Sequence, residues 1–219
     1  MKSPSEINFV AFLQYSPRGQ SRESRSSRVV TRAVKNDAAL PPTPQRAIDY
    51  AAKRLAQEIP NYPFLQKCFG PDVMLIPVPS SSLLVKGGLW PAERLCKALR
   101  NAGLAADVLT LLTRIKAVPK SATAGRGQRP SPETHYESLS VQRAAPLLAP
   151  TARFTIVDDV ITRGATLLAS YARLEEAYPN VPINCFALIR TMSSGEVDSV
   201  LSPVVGVISL AEGRLQRSP

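Results

Sequence analysis

The sequence predicts an α/β protein: an open, mainly parallel sheet flanked by helices, with an N-terminal β-hairpin as an added element. Three observations carry that expectation. Residues 72–99 and 154–178 each read as a short apolar strand, a polar loop and an amphipathic helix. The strand DVMLIPVP within the first of these units is continuously apolar, as strands covered by helices on both faces are. Further apolar strands, at residues 106–113 and at INCFALI (183–189), follow these helices, so that strands and helices alternate. At 219 residues the chain is long enough for one well-filled domain with a small appendage.

Taken in order, residues 7–15 (INFVAFLQY) read as a strand and residues 29–34 as a weaker second one. Between them lies SPRGQSRESRSSR, and the simplest reading is an antiparallel hairpin with a long tip. That tip carries Arg18, Arg22, Arg25 and Arg28 among serines; without interleaved aromatics it reads first as a solvated loop and second as a nucleic-acid contact. Pro41, Pro42 and Pro44 form a stiff linker, dividing the chain into a 1–40 extension and a 41–219 domain. Thr43 is expected to cap a helix opened by Pro44, with Ala47, Ile48, Ala51, Ala52, Leu55 and Ile59 on its apolar face.

The strand at 72–79 leads into Ser80, Ser81 and Ser82, then Lys86-Gly87-Gly88, and a helix opens at Trp90-Pro91. Ala92, Leu95, Cys96 and Leu99 line its inner face. Residues 116–140 have no clear periodicity and carry Lys116, Lys120, Arg126 and Arg129 among glycines, prolines and serines. A segment of that length inside a compact domain is either functional or disordered. His135, the single histidine, reads as structural. Residues 204–210 are expected to form a final edge strand, and the tail GRLQRSP to fray.

The chemistry concentrates in residues 154–170, FTIVDDVITRGATLLAS. An apolar strand ends in two adjacent carboxylates, Asp158 and Asp159, and the loop Thr162-Arg163-Gly164-Ala165-Thr166 then opens a helix. A small-residue loop at a helix N-terminus presents backbone N–H groups and a positive dipole end to a phosphate. The hydroxyls of Thr162 and Thr166 add donors, and Gly164 permits close backbone approach. Paired acids one turn away suit a polyol or a cation. Together they imply a ligand with both a phosphate and vicinal hydroxyls, such as a ribose 5-phosphate. The alternative is that the two acids merely end a strand and cap a helix.

VDDVITRGAT resembles the phosphoribosyl-pyrophosphate-binding motif of the type I phosphoribosyltransferases. It departs at Thr155, where an aliphatic residue is usual; Arg163, where threonine is common, is a tolerated variation. More loosely, PVPSSSLLVKGGLWPAERL is similar to the ComF-like phosphoribosyltransferases, whose N-terminal zinc-binding cysteines have no counterpart here. The resemblance implies a type I phosphoribosyltransferase fold, with the N-terminal element as a hood. It also implies phosphoribosyl pyrophosphate and magnesium as ligands, and phosphoribosyl transfer to a nitrogen acceptor that the sequence does not name. By the same resemblance, Asp158 and Asp159 hold the ribose hydroxyls directly or through magnesium, and Thr162, Arg163, Gly164, Ala165 and Thr166 bind the 5-phosphate. Ser80, Ser81, Ser82 and Lys86 face the pyrophosphate, and Lys120, Arg126 and Arg129 belong to a lid that closes over it. Two other readings stay open: a non-catalytic sensor of sugar phosphates that accompanies DNA processing, and a nucleic-acid-binding module with a vestigial phosphate loop.

The formal net charge of +10 favours acidic partners, which nucleic acid and a pyrophosphorylated sugar both satisfy. Cys68, Cys96 and Cys185 form no C-x-x-C pair, so a zinc ribbon and a disulfide framework are both unsupported, and each thiol reads as a small buried hydrophobe. No apolar run is long enough to span a membrane, and a cytoplasmic protein is expected. A homodimer is a candidate assembly.

Overall fold

The computed structural model describes residues 4–85, 87–119, 130–142, 152–192, 195–211 and 213–219. Its frame is a seven-stranded sheet. In chain order the strands of that sheet are β1 (Glu6–Tyr15), β2 (Gly70–Pro77), β3 (Ala105–Val108), β6 (Arg153–Ile161), β7 (Ile183–Thr191), β8 (Leu201–Ala211) and β9 (Arg214–Ser218). In space they run β3-β2-β6-β7-β1-β8-β9. The strands from β3 to β1 are parallel, and β8 and β9 are added antiparallel. A separate two-stranded ribbon pairs β4 (Leu112–Arg114) with β5 (Leu139–Val141).

Helices cover both faces. Against one lie α1 (Arg22–Lys35), α2 (Ala47–Glu58) and α3 (Pro91–Asn101), which share a core with Val10, Phe12, Val73, Leu75, Val157, Phe186 and Leu188. Against the other lies α5 (Ala165–Ala177), whose Leu167, Leu168 and Leu174 pack on Phe9, Ala11, Ile156, Ala187 and Ile208. The short α4 (Pro132–Glu137) and the β4–β5 ribbon pack on α5. Successive strand residues therefore feed opposite cores, which is why these strands are apolar throughout.

The expected N-terminal hairpin is replaced by a strand and a helix. β1 is inserted between β7 and β8, and residues 29–34 belong to α1. The buried residues of α1 are Ser24, Ser27, Thr31, Ala33 and Val34, three of the five hydroxylic, while Val29 faces outward at 53 % exposure. Ser21 caps the helix by accepting from Ser24 N at 3.1 Å. Arg32 and Lys35 sit in its last turn, where the dipole favours cations. Pro44 does not open α2, which begins at Ala47 after an Arg46 cap without a side-chain bond. β8 is an interior strand rather than an edge, and the polar tail, instead of fraying, forms β9. The single strand expected at 106–113 is broken into β3 and β4, which belong to different sheets.

The connections fix where a ligand can sit. From β2 the chain crosses through α3 to β3 on one side, and from β6 through α5 to β7 on the other. The two crossovers leave neighbouring parallel strands for opposite faces of the sheet, so their carboxyl ends part at a crevice. Such switch points are where open α/β sheets bind ligands.

Candidate functional site

Asp158 and Asp159 stand at that crevice. Pro77 of β2 is in register with Val157, and Val78 N donates to Val157 O at 2.9 Å, so the β2 loop leaves beside the acidic pair. The two side chains belong to opposite faces of β6. Asp159, 8 % exposed, accepts from Lys35 Nζ at 2.8 Å on the α1 side. Burial and the neighbouring Asp159 carboxylate push the Asp158 carboxyl well above the usual carboxylate range, against the pull of Lys35. Burial lowers the Lys35 ammonium, but the charge and hydrogen bond of Asp159 outweigh it and leave that group above its ordinary value.

Lys35 was not legible as a site residue. It ends a helix that buries Ser24, Ser27 and Thr31 before its apolar Ala33 and Val34, so the apolar periodicity that marks helices in sequence is missing over most of its length. Its position, in the last turn of the helix that follows β1, is visible only once α1 is recognised.

The loop from Thr162 to Thr166 turns β6 into α5. Gly164 takes φ +90°, and a Cβ there would come within 2.5 Å of Ile208 Cδ1, so the turn needs glycine twice over. Gly164 is the N-cap and offers no side-chain bond, leaving the first amides of α5 without a side-chain cap. The start of α1 contrasts with it. There the Glu196 carboxylate accepts from Gln20 N at 2.6 Å, Ser21 N at 2.9 Å and Ser24 Oγ at 2.8 Å. Those bonds hold Glu196 down to about 2, so that helix end already has its anion. Around the α5 loop, Thr162 and Thr166 are half-buried, Arg163 is exposed and Ala165 is buried.

Ser80, Ser81 and Ser82 follow β2 on the other side of the crevice. A buried arginine, Arg114 of β4, shapes this loop: its Nε donates to Ser80 O at 2.6 Å, and its remaining nitrogens reach Pro79 O and Ser138 Oγ. Arg114 is 8 % exposed, and burial brings its guanidinium down to about 10. Val118 N donates to Ser81 O at 2.9 Å, and Trp90 Nε1 donates to Val78 O at 2.8 Å, closing the loop from both ends. Beyond Ser82 the loop exposes Leu83, Leu84, Val85 and Leu89. A cleft of about 520 Å³ lies there, lined by Leu84, Val85, Trp90 and Arg94.

His135 is 2 % exposed on α4, with both ring nitrogens 3.5 Å from Thr166 Oγ1. Burial and the Arg114 charge pull it down to about 4, so it is a neutral packing residue at neutral pH. Thr155, the departure from an aliphatic pattern, is fully buried and donates to Cys68 O at 2.8 Å, which explains how the strand tolerates a hydroxyl. The three cysteines are buried thiols. Lys86, Lys120, Arg126 and Arg129 lie outside the described residues.

Together, Asp158, Asp159, the Thr162–Thr166 loop and Ser80 to Ser82 gather at one crevice, joined by Lys35 and Arg114. The set offers the Asp159 carboxylate and the Asp158 carboxyl on one strand end and N–H or hydroxyl donors on each side of them. Among the described residues no group of three His, Cys, Asp or Glu side chains could hold a metal ion. No described helix is long and apolar enough to cross a membrane. No protein-family model matches the chain, and no curated protein matches its sequence.

Proposed function

We propose that this chain binds phosphoribosyl pyrophosphate at the crevice between β2 and β6 and transfers the phosphoribosyl group to a nitrogen acceptor. The observation that carries the reading is the acidic pair set beside the uncapped start of α5 at a switch point, in a sequence order that resembles the type I phosphoribosyltransferase motif. Ribose hydroxyls would donate to Asp158 and Asp159, and the 5-phosphate would lie on the α5 amides with Thr162 and Thr166. The pyrophosphate would lie toward Ser80 to Ser82, a loop backed by the Arg114 charge. In the reaction the bond from C1 to the pyrophosphate oxygen breaks and a C1–N bond forms. The nitrogen then releases its proton.

The acidic pair fits magnesium only as an ion shared with the ligand. One carboxylate is already paired with Lys35, and no third protein ligand stands nearby among the described residues. Magnesium commonly takes one or two carboxylates with substrate phosphates and water. When bound it would offset the charge on the leaving pyrophosphate.

Calorimetric titration of phosphoribosyl pyrophosphate, with and without magnesium, tests the reading. Replacing Asp158 and Asp159 together by Asn is expected to weaken binding by at least ~2 kcal/mol, because charge-assisted hydrogen bonds are lost. Unchanged affinity in that variant would remove the role given to the pair. Binding without pyrophosphate release across a panel of amines and bases would favour the sensor reading over the enzyme.

A further inference from the structure

β7 ends in Arg190 and Thr191, and in register Arg190 stands between Gln14 of β1 and Ile161 of β6, the residue before the Thr162–Thr166 loop. Arg190 is 5 % exposed. Its guanidinium donates to Gln14 Oε1 at 3.1 Å and Ser202 Oγ at 3.0 Å, and a third contact is to the Met192 sulfur, a weak acceptor. Its Nε is buried and has no partner among the described residues.

A second guanidinium comes from the edge strand. Arg217 of β9 donates to the main-chain oxygens of Thr191 and Pro219, the latter at 2.7 Å, and lies 5.9 Å from the Phe9 ring. Among the described residues its Nε is also buried and unpartnered, as is Thr191 Oγ1. Among the described residues, neither arginine forms an ion pair with an Asp or Glu. Burial, with the Arg190 charge as a lesser cause, brings Arg217 down to about 10.

The identity of the orphaned atoms selects the missing ligand. Arg190 Nε and Arg217 Nε can only donate, and the Thr191 hydroxyl can donate with them. Three donors and two positive charges call for an acceptor that brings negative charge. A cation is excluded by charge, and an apolar group would leave every donor unsatisfied. A guanidinium fork matches the planar or tetrahedral oxygens of a carboxylate or phosphate.

We propose that Arg190, Thr191 and Arg217 form an oxyanion subsite, for a phosphate or carboxylate group, at the carboxyl end of β7. It is separate from the uncapped start of α5 and does not depend on the sugar-phosphate reading. Where both hold, the second ligand of the crevice carries an acidic group.

The test uses the full chain with Arg side chains isotopically labelled, titrated with inorganic phosphate and separately with acetate. Addition of phosphate is expected to shift the Nε–H resonances of Arg190 and Arg217, and Arg217→Gln to weaken phosphate binding roughly tenfold, as the loss of a charge-assisted pair does. A response to acetate alone would assign the site to carboxylates, and a response to phosphate alone to phosphates. Arg190→Gln removes a buried group, so the half-buried Arg217 carries the test where that variant fails to fold. Unmoved Nε–H resonances, or equal phosphate affinity in Arg217→Gln, would overturn the proposal. The Asp158→Asn, Asp159→Asn variant should keep the arginine response whether or not it binds phosphoribosyl pyrophosphate, so the two readings fail independently.

Discussion

Gly164 carries two constraints in one residue, a left-handed φ and a missing Cβ that makes room for Ile208. Gly164→Ala is therefore expected to destabilise the fold by about 1–3 kcal/mol, from backbone strain and overpacking together. Ile208→Ala should recover only the packing share, leaving a measurable coupling in a double-mutant cycle by urea denaturation. Additive effects would mean the loop adjusts away from β8. Asp158 makes a prediction about pH. Its carboxyl is raised above the ordinary aspartate value, so the folded state keeps a proton that the unfolded chain has released. The stabilisation is complete below the ordinary value and is lost as pH rises through the raised one. Asp158→Asn should flatten the fall in stability over that window. Lys35→Met removes a cation that lowers Asp158, and should move its titration further upward in carbon-13 carboxyl spectra. A midpoint unchanged by that substitution would separate Lys35 from the acidic pair.

At the level of elements, what could be read from the sequence follows from what each element buries. β2, β6, β7 and α5 bury aliphatic residues at strand or helix spacing, and the sequence reading placed all four. α1 buries hydroxyls instead. Ser27 Oγ accepts from Ser16 N at 3.1 Å and donates to Ser24 O at 2.7 Å, while Thr31 Oγ1 donates to Ser27 O at 2.8 Å. Such a stripe looks like a polar loop to any pattern built on hydrophobicity, which is why Lys35 and the true neighbours of β1 stayed hidden. β9 escaped for the opposite reason: only alternate residues face the sheet, and Arg217 is one of them. Ser27→Ala tests the hydroxyl stripe. It leaves the Ser16 amide, fully buried, without its acceptor and should cost about 1–3 kcal/mol. A neutral substitution, by thermal or urea unfolding, would mean that the stripe is not what seats α1.

For the whole molecule, the placement of β1 matters most. The 1–40 extension contributes a strand hydrogen-bonded to β7 on one side and β8 on the other. The fragment 41–219 would leave both strands with open edges and strip Phe9, Ala11 and Phe12 from the two cores. It is expected to show no cooperative transition by far-ultraviolet circular dichroism, while the full chain unfolds in a single step that the lone Trp90 reports with the same midpoint. A cooperatively folded 41–219 fragment would mean that β1 is dispensable to the fold.

The same insertion sets the timetable of biosynthesis. Gln14 and Arg190, which meet at the carboxyl ends of β1 and β7, are 176 positions apart. At translation rates of about 5–20 residues per second, the first strand waits on the order of ten to thirty seconds for the partners that flank it. During that interval an apolar segment has α1 to pack on but neither of the strands that pair with its edges. The two strands that shelter β1, β7 and β8, follow it by more than 160 residues, so the nascent chain would benefit from a holding chaperone in proportion to how slowly the stretch between β1 and β8 is translated.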